Sequence, residues 1–238
     1  MARYVLVFPA LEGKNDADLK SISEMFRADP DGYRASRQRH GVTLERAYLQ
    51  KTPMGSFVVA YQETQREFAD TMGSLAASDL AIDRRFVEMI HDLHGLDLTQ
   101  PMPAALPETL AAWVDPQVTV PRRGMAFTAP LAPGKTEAGR AFMKEAFDAR
   151  RGELEASRRA LGENKEVITL QPTPMGDVVN VYLEGSDPWE GNRGFAASTT
   201  QYDVWFKGML GDLFPPEIDL SKPIEGVEEI FDSEKVGG

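Results

Sequence analysis

The residues able to do chemistry in this 238-residue chain are few and unevenly spread. All three histidines, His40, His91 and His94, stand in the first half. Two of them close the stretch Glu88-Met89-Ile90-His91-Asp92-Leu93-His94. Glu-x-x-His on one helix is how di-iron carboxylate proteins present ligands, but such a site needs a second pair and two more glutamates on facing helices. The corresponding stretch of the second half, 208–214, has neither His nor Glu, so no metal site is expected. His40 precedes Gly41, where a helix end lets a histidine meet the last carbonyls and the helix dipole, and a structural or solvent role is expected for it. The chain has no Cys, hence no disulfide, thiolate metal site or Cys nucleophile. It has no Gly-x-Ser-x-Gly, no phosphate loop and no dinucleotide fingerprint. No catalytic residue can be assigned from motifs, and no cofactor is expected.

A better guide is that the chain repeats itself. Leu49-Gln50-Lys51-Thr52-Pro53-Met54-Gly55-Ser56 returns as Leu170-Gln171-Pro172-Thr173-Pro174-Met175-Gly176-Asp177, with six of eight positions identical and an offset of 121. Pro9/Pro130, Gly13/Gly134, Gly41/Gly162, Glu45/Glu166 and Tyr61/Tyr182 keep that offset. With one residue deleted it continues in Asp83/Asp203 and Phe86/Phe206. Two copies of one unit are read, at 1–116 and 117–238.

Where the copies disagree in polarity within strands, a pocket can differ. Val7 becomes Thr128, Tyr48 becomes Thr169 and Val59 becomes Asn180. Asn is disfavoured in mid-strand and, if buried, must find partners. Strand alternation puts Asn180 on the same face as Tyr182. Asn180, Tyr182, Trp205 and Thr169 are therefore candidate substrate-binding residues of the second half, with Tyr48, Tyr61 and His91 in the first. Trp205 has a second reading, as core matching Arg85 with a larger residue.

The elements that must position these residues come in one order, twice. Runs at 4–8 and 125–128 end before Pro and read as strand one. A helix follows. In the second copy it spans about 136–161 and stops at Gly162, with Phe147, Leu154 and Leu161 on one face. In the first copy Pro30 predicts a break near Asp29-Pro30. Strands two (45–50, 166–171) and three (57–62, 178–183) are joined by the Thr-Pro-Met-Gly hairpin, whose Pro and Gly suit the turn. A second helical region carries the stripe Phe86, Met89, Ile90, Leu93, repeated as Phe206, Met209, Leu210, Leu213, with Ser78 and Ser198 as expected N-caps. Last strands are expected at 110–115 and 228–232, after a Pro-rich loop at 101–107, and a linker at 116–121. Gly191-Asn192-Arg193-Gly194 reads as a turn. The class is α+β, with two tandem ferredoxin-like (βαββαβ) repeats. Such sheets leave one face bare, and two copies can cover each other sheet to sheet, an internal pseudo-dimer.

The strand–TPMG–strand hairpin followed by Asp83-Arg84-Arg85-Phe86 and Asp203-Val204-Trp205-Phe206 resembles the dimeric α/β-barrel superfamily. That group includes antibiotic-biosynthesis monooxygenases, muconolactone isomerase, EthD-like proteins and chlorite dismutases. The likeness is greatest to small single-repeat bacterial proteins of unknown function. It implies an intramolecular dimeric α/β barrel and a cleft between sheet and helices. In the haem-binding members the axial His belongs to the C-terminal repeat, and here that repeat has none.

Net charge is −11, which opposes nucleic acid and anionic membranes as partners. The clusters Arg34-Arg37-Arg39, Arg150-Arg151 and Arg158-Arg159 read as solvated helix faces. No apolar run reaches the ~20 residues of a membrane span, and the protein is expected to be cytoplasmic. Two functions stand. One is a cofactor-independent monooxygenase- or isomerase-like enzyme acting on a small hydrophobic or aromatic substrate in the sheet–helix cleft, as the resemblance implies. The other is a non-catalytic small-molecule-binding or structural protein using the duplicated scaffold. Further homo-oligomerisation stays open.

Overall fold

The computed structural model describes residues 1–100, 106–118 and 121–236. Residues 101–105 and 119–120, within the expected loop and linker, lie outside the described residues. The chain divides into two compact units, Met1–Leu106 with Gly226–Gly238, and Pro107–Glu225. Unit 1 contains β1 (Ala2–Pro9), α1 (Asp16–Ala28), α2 (Pro30–His40), β2 (Val42–Thr52), β3 (Gly55–Thr64), α3 (Phe68–Ala76) and α4 (Ala81–His94). Unit 2 contains β4 (Glu108–Val114), β5 (Arg123–Pro130), α5 (Thr136–Lys144), α6 (Arg151–Ala160), β6 (Glu163–Thr173), β7 (Gly176–Gly185), α7 (Pro188–Ala197) and α8 (Gln201–Gly211). The last strand, β8 (Val227–Asp232), belongs to unit 1.

Each unit holds one four-stranded antiparallel sheet, ordered β1-β3-β2-β8 and β4-β6-β7-β5. The α+β class and the twice-used βαββαβ order therefore hold. The sequence repeats and the compact units do not share boundaries, because the closing strands are exchanged. β4 follows the first copy's helices but pairs with β6, and β8 follows the second copy's helices but pairs with β2. Apolar side chains carry the exchange. Phe231 is buried among Phe26, Tyr33 and Ile82, while Trp113 and Ala111 are buried among Phe142, Phe147 and Leu154.

Local chemistry explains the element ends. Asp29 caps α2 by accepting from the Gly32 amide, and Pro30 takes the first helical position, so the helix breaks there as its sequence demands. The second copy breaks at the same place by another device. A π turn at Glu145–Ala149 separates α5 from α6, where one continuous helix was expected. Gly41 and Gly162 take φ +74° and +77°, the left-handed conformation that ends each helix. In both hairpins the threonine closes the turn: Thr52 accepts from the Met54 amide and Thr173 from the Met175 amide. Two local expectations are corrected. Gly191-Asn192-Arg193-Gly194 lies inside α7, started by Asp187 as its cap. Ser78 and Ser198 are not N-caps: Leu80 and Thr200 hold those positions, and the serines donate instead to Asp83 and Asp203, each at 2.5 Å.

The exchange makes a direct expectation. Phe231→Ala should destabilise the protein by about 3 kcal/mol, as removing a buried Phe side chain does. Hydrogen exchange should then quicken in α1, α2 and β2 and stay slow in β6 and β7. Loss of protection centred on β6 and β7 would place β8 in the wrong sheet.

Candidate functional site

Each unit has a cleft between the helices and its own sheet. They enclose about 70 Å³ in unit 1 and about 90 Å³ in unit 2. In unit 1 the walls include Leu6, Phe8, Leu19, Phe26, Phe86 and Ile90. In unit 2 they include Phe127, Ile168, Val179, Phe195, Phe206 and Leu210. Apolar walls with a few polar groups are what small-molecule sites present.

The same polar framework is built at both clefts. Arg37 Nε lies 2.7 Å from Glu45, and Arg158 Nε lies 2.7 Å from Glu166. Both arginines are buried, which corrects their reading as solvated helix residues. Burial alone would lower a guanidinium's pKa, but the facing glutamates outweigh it and hold both arginines above their ordinary range. The aromatic rings of Phe26, Tyr33 and Phe86 surround Arg37, and Phe195 and Phe206 flank Arg158. The serine before each arginine donates to the aspartate of the next helical region, Ser36 to Asp83 at 2.5 Å and Ser157 to Asp203 at 2.6 Å. Burial would raise both aspartates, yet the bonds from His40, Ser36 and Ser78 to Asp83, and from Ser157, Ser198 and Thr200 to Asp203, leave them lowered.

The units differ in what surrounds this framework. In unit 1 Glu45 also accepts from Tyr33 at 2.9 Å and from Gln62 at 2.7 Å, and His40 bonds Asp83 at 2.9 Å. His40 is fully buried, so its role is structural rather than solvent-facing. At the matching positions unit 2 has Leu154, Leu183 and Leu161. All three polar partners have become leucine. In exchange, Val42 has become Glu163.

Glu163 begins β6, just after Gly162 and beside a bulge in the pairing with β7. Its side chain is 2% exposed, 3.7 Å from Arg158 Nε, and lines the cleft. Its Oε2 is buried with no hydrogen-bond partner. A Cβ at Gly191 would come to 3.0 Å from the carboxyl and 3.1 Å from the Leu161 carbonyl oxygen, a crowded approach that glycine avoids. Burial, opposed in part by Arg158 and reinforced by Glu166 and Asp203, pushes the Glu163 pKa up to about 8.

None of the seven residues expected to line a pocket lines either cleft. In β2 and β3 the cleft takes Ala47, Val58, Ala60 and Gln62, so Tyr48 and Tyr61 stand on the other sheet face. In β6 and β7 it takes Ile168, Val179, Val181 and Leu183, so Thr169, Asn180 and Tyr182 also face away. Those residues are buried and bonded within the sheet: Asn180 donates to Thr169 at 3.3 Å and Gln171 at 3.1 Å, and Tyr182 donates to Glu184 at 2.8 Å. Trp205 packs on Phe142 and Tyr202 with the Arg150 guanidinium 3.8 Å above its ring, which fits the core reading. His91 is exposed on α4. No group of three or more His, Asp or Glu side chains among the described residues is arranged to hold a metal ion.

No protein-family model matches the sequence, and no curated protein matches it. Solved structures do. One is a "putative monooxygenase" of Fusobacterium nucleatum subsp. nucleatum ATCC 25586, at 10% identity over 99% of this chain and 95% of that one, with a TM-score of 0.51. Another is a "putative monooxygenase" of Lactobacillus acidophilus NCFM, at 10% identity over 98% and 95% of the two chains, with a TM-score of 0.49. At such identity the likeness to the first is one of fold. It extends over nearly the whole of both chains, so the α+β architecture is shared from end to end.

The raised pKa has a consequence for stability. Glu163 titrates near 4.5 in an unfolded chain and near 8 in the folded one. The unfolded form therefore loses the proton first, and this group's contribution to stability falls as pH rises from about 4.5 to about 8. Glu163→Gln should raise the melting temperature at pH 8 by roughly 5 °C and leave it nearly unchanged at pH 4. An equal shift at both pH values would mean that Glu163 is not protonated in the fold.

Proposed function

We propose that this protein is an enzyme that moves a proton on a small hydrophobic or aromatic substrate in the sheet–helix cleft of unit 2. The observation that carries this reading is Glu163, a buried carboxyl with a pKa near 8 and an Oε2 that no hydrogen-bond donor reaches, on the wall of an apolar cleft. Near neutral pH both of its forms are populated, which lets one group take and return a proton. Arg158 and Lys222 line the same cleft and favour the anion that forms when substrate loses a proton. Return of the proton at a second carbon is isomerisation. Capture of a carbanion by dioxygen, converting CH₂ and O₂ to C=O and water, is a cofactor-independent monooxygenase reaction. The fold shared with the Fusobacterium structure supports the scaffold part of this reading and does not choose between the two outcomes. A cytoplasmic location belongs to the same proposal and rests on composition.

The second reading, a non-catalytic ligand-binding or structural role, is favoured for unit 1. There Glu45 is saturated by Arg37, Tyr33 and Gln62, and among the described residues lining that cleft no other carboxyl stands ready to handle a proton.

The test is solvent-deuterium exchange into a panel of enolisable aromatic ketones and phenols, followed by NMR, with oxygen uptake in parallel. The full chain should accelerate exchange for at least one substrate, with a rate profile bending near pH 8. Glu163→Gln should lower the rate by about 10²-fold or more. A variant that keeps full activity would remove Glu163 from the chemistry, and absence of turnover across the panel would favour the binding role.

A further inference from the structure

The cleft of unit 1 has polar groups of its own. Gln62 is 6% exposed, and its Nε2 donates to Glu45 Oε1 at 2.7 Å. A carboxylate only accepts, so the amide cannot be turned round. Its Oε1 is left buried, without a hydrogen-bond partner, on the cleft wall. His94 is 9% exposed on the same wall, with Nδ1 2.9 Å from the Pro9 carbonyl oxygen. That oxygen also only accepts, so Nδ1 carries the proton. Burial holds the ring below its ordinary pKa, which leaves Nε2 as the acceptor of a neutral imidazole. The cleft thus has these two acceptors beside the Ser23 hydroxyl and, among its lining residues, no Lys or Arg; the charge of Glu45 is paired with Arg37 behind it.

An acceptor buried without a donor costs free energy comparable to a lost hydrogen bond. A ligand that brings a donor recovers it. An anionic ligand would instead bring no donor to these acceptors and would find no cation among the lining residues. We propose that the cleft of unit 1 binds a neutral, mainly apolar molecule bearing a hydroxyl, of the phenol or alcohol class, whose O–H donates to Gln62 Oε1 at one end of the cleft or to His94 Nε2 at the other. In the β1–β3 register Gln62 lies opposite Tyr4 and Phe57 opposite Pro9. Five residues of strand separate the two positions, about 17 Å, so the acceptors serve opposite ends of the cleft. The site is particular to unit 1. Leu183 and Phe214 occupy the matching positions of unit 2, and both line that cleft as apolar wall.

The repeat supplies its own control substitutions. Binding of 2-naphthol to the full chain, read by calorimetry, should be saturable, and 2-naphthoate should bind at least about tenfold more weakly. Gln62→Leu with His94→Phe gives unit 1 the residues of unit 2 and should weaken 2-naphthol about tenfold or more, with the circular dichroism spectrum retained. Any 2-naphthol taken up by the cleft of unit 2 is a second site that the double variant leaves in place, so loss of the unit 1 site is read apart from the fate of the unit 2 proposal. Should the double variant fail to fold, the two single variants decide, and at least one must weaken binding about tenfold. No saturable binding, equal affinity for 2-naphthoate, or unchanged affinity in the folded variants would overturn the proposal.

Discussion

The structure turns on a buried guanidinium facing a buried carboxylate, made once in each unit. Arg37 with Glu45, and Arg158 with Glu166, join a helix to the strand that follows it. A charge taken out of water costs several kcal/mol unless it is paired and hydrogen-bonded. The pair is therefore not a free choice once the arginine is inside. Its helix must lie where the fork reaches the strand, and the neighbouring serine must face the aspartate of the next helical region. A buried pair is a weak source of net stability. Its consequence is direction: it fixes the depth and angle at which the helices stand over the sheet, and so the walls of each cleft.

Given that frame, the two clefts diverge by trading hydrogen-bonding groups. Unit 1 spends Tyr33, Gln62 and His40 on completing the shells of Glu45 and Asp83. Unit 2 puts leucine at all three positions and adds Glu163. Loss of these partners dries the surroundings of Glu166 and Arg158, and a dry setting is what raises the pKa of a newly added carboxyl. The exchange is coherent: the same changes that remove polar support from the framework create the setting in which a carboxyl keeps its proton near neutrality.

Much of the fold could be read in the sequence because turns and caps are local. Pro30 broke its helix, Gly41 and Gly162 ended theirs, and both TPMG hairpins formed as their residues require. The exchange of β4 and β8 could not be read. Nothing in Trp113 or Phe231 distinguishes burial in one sheet from burial in the other, since pairing between distant strands leaves no local mark. The candidate site was legible only in part, for a related reason. The copies do differ around the clefts, but the polar differences at strand centres, Asn180 and Thr169, alternate onto the face away from the cleft. The informative differences stood at Tyr33/Leu154, Gln62/Leu183 and Val42/Glu163, at helix and strand ends. Arg37 and Arg158 were misleading because a basic cluster is solvated far more often than buried, and their repetition at one offset, each after a serine, was the signal that outweighed this.

Charge bookkeeping within unit 2 explains why Glu163 is the group that keeps a proton. Three carboxyls, Glu163, Glu166 and Asp203, surround the single guanidinium of Arg158, at 3.7, 2.7 and 3.9 Å. One positive charge cannot balance three negative ones in a dry site, so the least supported carboxyl must be neutral. Asp203 accepts from Ser157, Ser198 and Thr200, and Glu166 accepts from two nitrogens of Arg158. Glu163 has an Oε2 that accepts nothing. In unit 1 the corresponding guanidinium, Arg37, faces Glu45 and Asp83 alone among the described carboxyls, with His40 beside the latter, and no excess charge has to be removed. The valine at position 42 is therefore enough to leave that cleft without a carboxyl able to exchange a proton, although the framework around it is nearly the same.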